Sequence, residues 1–552
     1  MHFEQSMQDF VPLQCDPSPP RQEPIANRKT LSEQLECMVA FLSARERTTQ
    51  VLAGIVLFSL LFCAGLALTR RPWCDEAWFA SPAYNLDHHG FMGMTLLDPH
   101  GFPFAPYVEG IDRYTFWVMP GYMLMQAGWY KVVGLSLFSM RAISILWGGA
   151  ALIAWYLVVR WLSGDYRIAL LATFLLGTEQ HFIRSASTGR MDMMCAALGL
   201  VSLALYIRLR RRFALALFAA SCVSAVNLLT HPNALFGILA LAVVVFYYDR
   251  KSITLRSLLL AACPFIVLGS LWGLYLAQAP HFVATQFQAQ RAIPHRFEIP
   301  WNPFKAIEQE LALRYGTPYG LTSKLPMSLE AIILAQYFGA FIIALGVSDT
   351  RRTNEVKVLL AIAAMTFAIL MCIQKNWYYL IFIIPYYTAI AAIAYAWLWR
   401  KYTRFRMPLV ALLGIVLALN LGIVSARILH NDYEHRFLAA TTFLKQNAKP
   451  GDLIIGSGEL AFEMGFDGQV LDDSRLGFLS GKIPEYIVIE GQYANYWFPW
   501  FSAYEPATHR YIVGLFANDY DVVYDQLKDS YKTYGNSDRP YQILKRKSSI
   551  TR

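Results

Sequence analysis

Eleven apolar runs of 16 to 23 residues recur along this chain, most of them closed by arginine and lysine clusters. A hydrocarbon core of ~30 Å is crossed by ~20 helical residues, and a backbone inside it must satisfy its hydrogen bonds internally. Runs of that length, repeated, leave a helical membrane bundle as the architecture the chain can fold into. Composition agrees, with 56% of the 552 residues hydrophobic and 16% charged. The runs are 51–69, 139–161, 168–184, 192–208, 213–230, 233–248, 256–276, 329–348, 356–374, 377–399 and 407–427. They predict a mainly α, polytopic bundle of about 11 spans.

Charge sets the sidedness. With the N-terminus inside, the inner turns carry Arg160 and Arg167, Arg208 to Arg212, Arg250 to Arg256, Arg351 to Lys357 and Arg400 to Arg406. That is the positive-inside bias at every inner turn. One further apolar stretch, Phe116 to Val133, holds Pro120-Gly121, Gln126, Gly128 and Lys131, and reads as an interfacial amphipathic helix rather than a span. Counting it as a span would invert every later loop. The net charge of +9 follows from these inner loops and records topology, not nucleic-acid binding.

Three regions follow: an N-terminal segment over 1–50, a membrane domain over 51–428, and an outward domain over 429–552. The first begins without the charged, apolar and small-residue pattern of a cleaved leader. The membrane domain has large outer loops at 70–138 and 277–328. After residue 428 the pattern shortens to a helix over 437–446 and strands over 452–455, 486–489 and 521–524, which predicts a small soluble α/β domain. The eight cysteines are scattered, mostly in apolar runs, and imply neither a disulfide framework nor a zinc site.

The same topology gathers the chemically interesting residues on the outer face. Asp75-Glu76 follows the first run in Arg71-Pro72-Trp73-Cys74-Asp75-Glu76-Ala77-Trp78, and Asp192 opens another in Arg190-Met191-Asp192. Each acid reads equally as a helix-capping group, but two carboxylates facing one cavity suit base catalysis or cation binding. A divalent cation is therefore open, although Asp87, His88, His89 and His100 lack a ligand spacing. Lys375 is open between a phosphate-binding cation and a snorkelling helix end. His231-Pro232 is more often a structural turn. Arg291, His295 and Arg296 form a basic cluster suited to phosphate or to an anionic bilayer surface. Gly456-Ser457-Gly458-Glu459 follows a predicted strand, but a lone Gly-x-Gly carries little weight.

Together these segments resemble the GT-C superfamily of glycosyltransferases, in particular the branch of protein O-mannosyltransferases and lipid A aminoarabinose transferases. The likeness rests on Asp75-Glu76, the Pro120-Gly121 helix ending in Lys131-Val132-Val133-Gly134, Arg141, Arg184 to Asp192, and Lys375-Asn376-Trp377-Tyr378-Tyr379-Leu380 before Pro385. It covers about residues 50 to 400. The resemblance implies a GT-C-like bundle with juxtamembrane helices, transferring sugar from a polyprenyl-phosphate donor to a hydroxyl on a lipid, glycan or protein, with inversion. It implies Asp75 as the general base, supported by Glu76, with Asp192 orienting the acceptor or a cation. Lys375, Tyr378, Arg190, His231, Arg291 and Arg296 are the candidate substrate-binding residues. Where aminoarabinose transferases carry Glu-Lys-Pro-Pro, this chain reads Val118-Met119-Pro120-Gly121, a departure that bears on both a metal ligand and the donor sugar. The implied location is a bacterial inner membrane, with the site facing outward. A transporter or lipid flippase is the rival reading, and it expects binding residues near the midplane and internal repeats.

Overall fold

The structure, a computed structural model, describes residues 31–294, 296, 302–316, 318–321, 329–526 and 541–548. Each of the eleven apolar runs is helical over most of its length. Among the described residues seven helices are long and apolar enough to cross a membrane, including Leu137–Ser163, Met191–Leu209, Phe213–Thr230, Leu255–Leu276 and Asn354–Met371. The runs 168–184, 233–248, 329–348 and 377–399 do not reach that length and apolarity in one piece, so helix length alone does not carry the count of eleven.

Two of those runs are broken for identifiable reasons. Glu179 interrupts the third: its carboxylate accepts from the N–H groups of His181 and Phe182 at 2.6 and 3.0 Å and starts a new helix, Gln180–Ala186. Pro385 marks the break in the tenth: it has no N–H to donate to a preceding turn and stands in the first turn of the helix that follows. The aromatic segment Trp377–Phe382 winds as a 3-10 turn ahead of helix Ile384–Lys401.

Within the bundle, Leu137–Ser163 and Met191–Leu209 are central, with 67% and 72% of their most apolar stretches buried. Leu255–Leu276 has 11% of its stretch buried and presents leucines, isoleucine and valine outward, as a lipid-facing helix does. Fully buried Trp155 packs edge-on against Tyr386 at 5.6 Å in the core. The amphipathic stretch folds as Pro120–Val133, with Tyr122, Met123 and Tyr130 buried and Leu124 and Val132 exposed.

Residues from Leu52 onward form one compact unit that includes both bundle and C-terminal region. The latter holds a five-stranded sheet: β1 (Ile454–Ile455), β2 (Val470–Leu471), β3 (Tyr486–Ile489), β4 (Tyr520–Asp525) and β5 (Gln542–Arg546), in the order β2-β1-β3-β5-β4. β2, β1 and β3 are parallel, while β5 runs antiparallel between β3 and β4. β3 matches its predicted bounds, and β4 its predicted core. β2 and β5 are strands the pattern did not predict; two residues of β2 are too few for alternation to show.

The first loop docks on this sheet. Leu97 bridges Asp472 beyond the end of β2, with Asp98 N–H donating to the Asp472 carbonyl at 3.1 Å and Asp472 N–H to the Leu96 carbonyl at 2.8 Å. Arg475, fully buried, donates to the carbonyls of His100, Phe102, Pro103 and Ala105 and pairs with Glu505 at 2.7 Å. One guanidinium with five donors thereby satisfies a loop that has little secondary structure of its own.

Candidate functional site

Asp75 and Glu76 lie in the first turn of helix Cys74–His89, where the helix dipole favours negative charge, and their side chains part company there. Glu76 turns inward. It is fully buried, accepts from Trp73 N–H at 3.0 Å and Gly189 N–H at 2.7 Å, and forms a two-pronged pair with Arg141. Burial pushes its pKa up, but the charge and hydrogen bonds of Arg141 outweigh burial and hold it below the usual carboxylate range. Glycine at 189 suits this contact, since a Cβ would sit 2.8 Å from the Met140 side chain and 3.2 Å from Glu76 Oε1. Asp75 turns outward, its side chain 22% exposed, and pairs with Arg190.

Arg190 is the hub. Its Nη1 donates to Asp75, and its Nε donates to Asp192 Oδ2 at 2.8 Å. Its guanidinium lies 4.2 Å from the ring centre of Tyr378 and 5.0 Å from that of Trp73, a stacked position that suits the planar cation. Asp192 Oδ1 is buried with no hydrogen-bond partner among the described residues. His231 stands on the turn between Phe213–Thr230 and Ala234–Asp249, with Nδ1 accepting from Asn233 N–H at 3.0 Å. Burial lowers its pKa to about 4, with Asp192 opposing and Arg190 and Arg296 assisting, so the ring is neutral at neutral pH.

A second network fixes the Trp377–Phe382 turn from behind. Fully buried Arg314 pairs with Glu310 at 2.5 Å and donates to the carbonyls of Leu370, Gln374 and Asn376. Lys375 Nζ completes it, 2.9 Å from Glu310 Oε2 and donating to the carbonyls of Leu370 and Met371. Two further cations stand near this turn: Arg184, whose guanidinium lies 3.5 Å from the Trp377 ring centre, and Arg296, which reaches Gln374 Oε1 at 3.4 Å.

The sheet supplies what the membrane segments lack. Its parallel strands are each followed by an acid: β1 by Glu459, β2 by Asp472, β3 by Glu490. The carboxyl ends of parallel strands are where open α/β sheets bind ligands. Asp472 accepts from Trp78 Nε1 and Tyr493 Oη, both at 2.9 Å, and from Gly458 N–H at 2.8 Å; burial pushes its pKa up to about 6 against those bonds. Burial likewise raises Glu459 and Glu490, which share Arg71, 3.7 Å from Glu490 Oε2. Cys74 Sγ donates to Gln492 Oε1 at 2.9 Å, linking the Asp75 helix to the loop after β3.

These elements enclose a cavity of about 1450 Å³. Asp75, Arg190, His231, Tyr378, Arg291 and Arg296 line it; Glu76, Asp192 and Lys375 do not. His295 lies outside the described residues. Residues the sequence reading did not assign to the site, Glu459, Glu490 and Gln492, line it as well. The signal that would have found Glu490 is its place directly after β3, whereas Glu459 follows β1 at a distance of four residues, and β1 is only two residues long. Among the described residues no three His, Cys, Asp or Glu side chains are arranged to hold a metal ion. Asp75 and Asp192 are instead joined through Arg190, so the carboxylates do not form a ligand set.

No protein-family model matches the chain, and no curated protein does. Its fold, however, is shared with solved membrane proteins. ArnT from Cupriavidus metallidurans bound to undecaprenyl phosphate superimposes with a TM-score of 0.56 at 14% identity, over 90% of this chain and 98% of that one. Its apo state gives 0.53 at 14% identity, over 89% and 97%. The Archaeoglobus fulgidus oligosaccharyltransferase tethered to an acceptor peptide gives 0.50 at 14% identity, over 88% and 74%. The chain therefore shares the membrane fold of these proteins.

Proposed function

We propose that this protein is an integral membrane glycosyltransferase that moves a sugar from a polyprenyl-phosphate carrier to an acceptor hydroxyl at the outer membrane face. The observation that carries the reading is the cavity's arrangement, a partly exposed Asp75 carboxylate beside several guanidinium groups at the ends of membrane helices. The structural likeness to an ArnT bound to undecaprenyl phosphate supports the donor class.

In this reading the carrier's phosphate is held by Arg184, Arg190, Arg291 and Arg296, with its apolar chain along the bundle. The acceptor oxygen attacks the anomeric carbon from the face opposite the phosphate. As that C–O bond forms, the bond between the anomeric carbon and the phosphate oxygen breaks, and its electron pair leaves on polyprenyl phosphate. The acceptor proton passes to Asp75. Charge accumulating on the departing phosphate is where preorganised guanidinium donors lower the barrier. Arg190 serves both ends, since it fixes Asp75 and stands among the phosphate-facing cations. Neutral His231 and the Tyr378 hydroxyl border the cavity as polar groups that orient substrate without adding charge. Glu76, Asp192 and Lys375 act as positioning residues behind the cavity wall. The positive-inside pattern supports the outward orientation, and residues 429–552 form the outward domain.

The test supplies a polyprenyl-phosphate sugar to purified protein and follows sugar release and transfer by mass spectrometry. Product formation that disappears in Asp75→Asn supports the proposal. Sustained lipid translocation in liposomes with no glycosidic product would replace it with the flippase reading.

A further inference from the structure

The cavity has two chemically distinct walls. Contacts place Arg184, Arg190 and Arg296 against Trp377, Tyr378 and Gln374, at the ends of membrane helices. A second wall comes from the first loop and the sheet domain. There Trp117, Trp78, Phe102, Phe104, Tyr496 and Trp497 form a continuous run of rings. Centroid separations are 6.0 Å from Trp117 to Trp78 and 6.3 Å from Trp78 to Phe102. They are 5.7 Å from Phe102 to Phe104, and 6.5 and 5.3 Å from Phe104 to Tyr496 and Trp497. All six line the cavity. Tyr496 is 49% exposed, which is far from the burial a purely structural ring would show.

Polar groups are set among the rings. Gln492 and Asn495 line the same wall, as do the carboxylates of Glu459 and Glu490 at the strand ends. The Trp117 indole N–H has no hydrogen-bond partner among the described residues. Flat apolar faces interleaved with amides and carboxylates match a pyranose ring, which presents C–H faces to aromatics and hydroxyls to acceptors and donors. They do not match an acyl chain, which needs no polar partners. Nor do they match a phosphate group, whose charge would leave water for a wall of rings, amides and acids where the nearby cation, Arg71, already lies 3.7 Å from Glu490 Oε2.

We infer that this wall is an acceptor subsite for a neutral or amino-bearing oligosaccharide, one that discriminates against phosphorylated acceptors. The acceptor role rests on the transferase reading; the carbohydrate binding does not. The subsite explains why the sheet domain docks so firmly on the first loop, since Arg475 and the Leu97–Asp472 bridge hold its two halves together. It also places the bound acceptor between the stacked rings and Asp75.

The test applies the detergent-solubilised full chain to an array of neutral, amino and phosphorylated oligosaccharides. Retention of neutral or amino glycans is expected, with phosphorylated counterparts bound on the order of tenfold more weakly. Tyr496→Ala should weaken retention by about tenfold and Tyr496→Trp should restore it, because the ring and not the hydroxyl makes the contact. Retention of phosphorylated glycans only, retention of no glycan, or Tyr496→Ala binding like the parent would each overturn the inference. Donor turnover is read on the same samples. Turnover without glycan retention overturns the subsite alone, whereas retention without turnover overturns the transferase reading and with it the acceptor role.

Discussion

Arg141 grips Glu76 through two parallel hydrogen bonds, Nε to Oε1 at 2.8 Å and Nη2 to Oε2 at 2.7 Å, with both side chains fully removed from solvent. The remaining donors of Arg141 go to the carbonyls of Ala67, Arg70 and Arg71. The pair thus ties the end of the first membrane helix, the start of helix Cys74–His89 and the Gly189 turn into one rigid corner. Asp75 is aimed at the cavity because its neighbour is locked away from it.

Breaking that pair leaves a buried charge uncompensated, at a cost of about 3–5 kcal/mol. Glu76→Gln and Arg141→Ala should each lower the thermal unfolding midpoint strongly, and the double variant should lose less than the sum. The pH dependence follows from the depressed carboxyl: its stabilisation is present above the ordinary unfolded value of ~4.3 and is lost as pH falls through the lower folded value. Unfolding midpoints recorded against pH check both points.

Asp75→Asn keeps the shape and removes the proposed proton acceptor. Transfer should fall by about 10²- to 10⁴-fold with donor KM little changed. Single-turnover kinetics at saturating donor make the separation.

Arg190 meets two carboxylates and the rings of Trp73, Phe79 and Tyr378 with one planar fork, which an ammonium group does not reproduce. Arg190→Lys should therefore cost transfer on the order of tenfold or more despite keeping the charge, and Arg190→Gln more still. Steady-state rates of the two variants, compared at equal folded fraction, decide it.

Arg296 lines the cavity and Lys375 does not. Arg296→Ala should raise donor KM by about tenfold, as loss of a charge-assisted phosphate contact does. Lys375→Ala should leave donor KM near the parent value and lower the unfolding midpoint instead, because it deprives Glu310 of a partner. Donor titrations and thermal melts on both variants test the division.

Asp472 carries a pKa raised to about 6 by burial, so the folded protein holds this proton more tightly than the unfolded chain. Its contribution to stability is complete below ~3.9 and is lost as pH rises through about 6. Asp472→Asn should flatten that part of the stability profile while still accepting from Gly458 N–H and Trp78 Nε1. Melts between pH 4 and 7 measure the difference.

The helical bundle was legible because its signal is local. A run of ~20 apolar residues has little choice but to bury its backbone polar groups in a helix, and the positions of the runs survive in the structure. The breaks at Glu179 and Pro385 were less legible, since each depends on one residue overriding its neighbours. In the soluble region β3 was readable from four consecutive apolar-aromatic residues, whereas β1 and β2 are strands only because partners lie alongside them.

For the site, sequence determined residue types and neighbourhood: Asp75, Arg190, His231, Tyr378, Arg291 and Arg296 were named together, and together they line one cavity. Sequence did not determine which way a side chain turns. Adjacent Asp75 and Glu76 look equivalent in one dimension, yet a helix sends successive side chains about 100° apart, and only Arg141, 65 residues away, decides which is buried. The same holds for Lys375, drawn from the cavity by Glu310, and for Glu459 and Glu490, brought to the same cavity as the guanidinium groups by a sheet that assembles through long-range pairing. Hydrophobicity along the chain fixed the bundle, because the bilayer acts on each segment separately. Charge pairing across the chain fixed the site, because an ion in a buried place is stable only beside a partner that tertiary structure alone can bring to it.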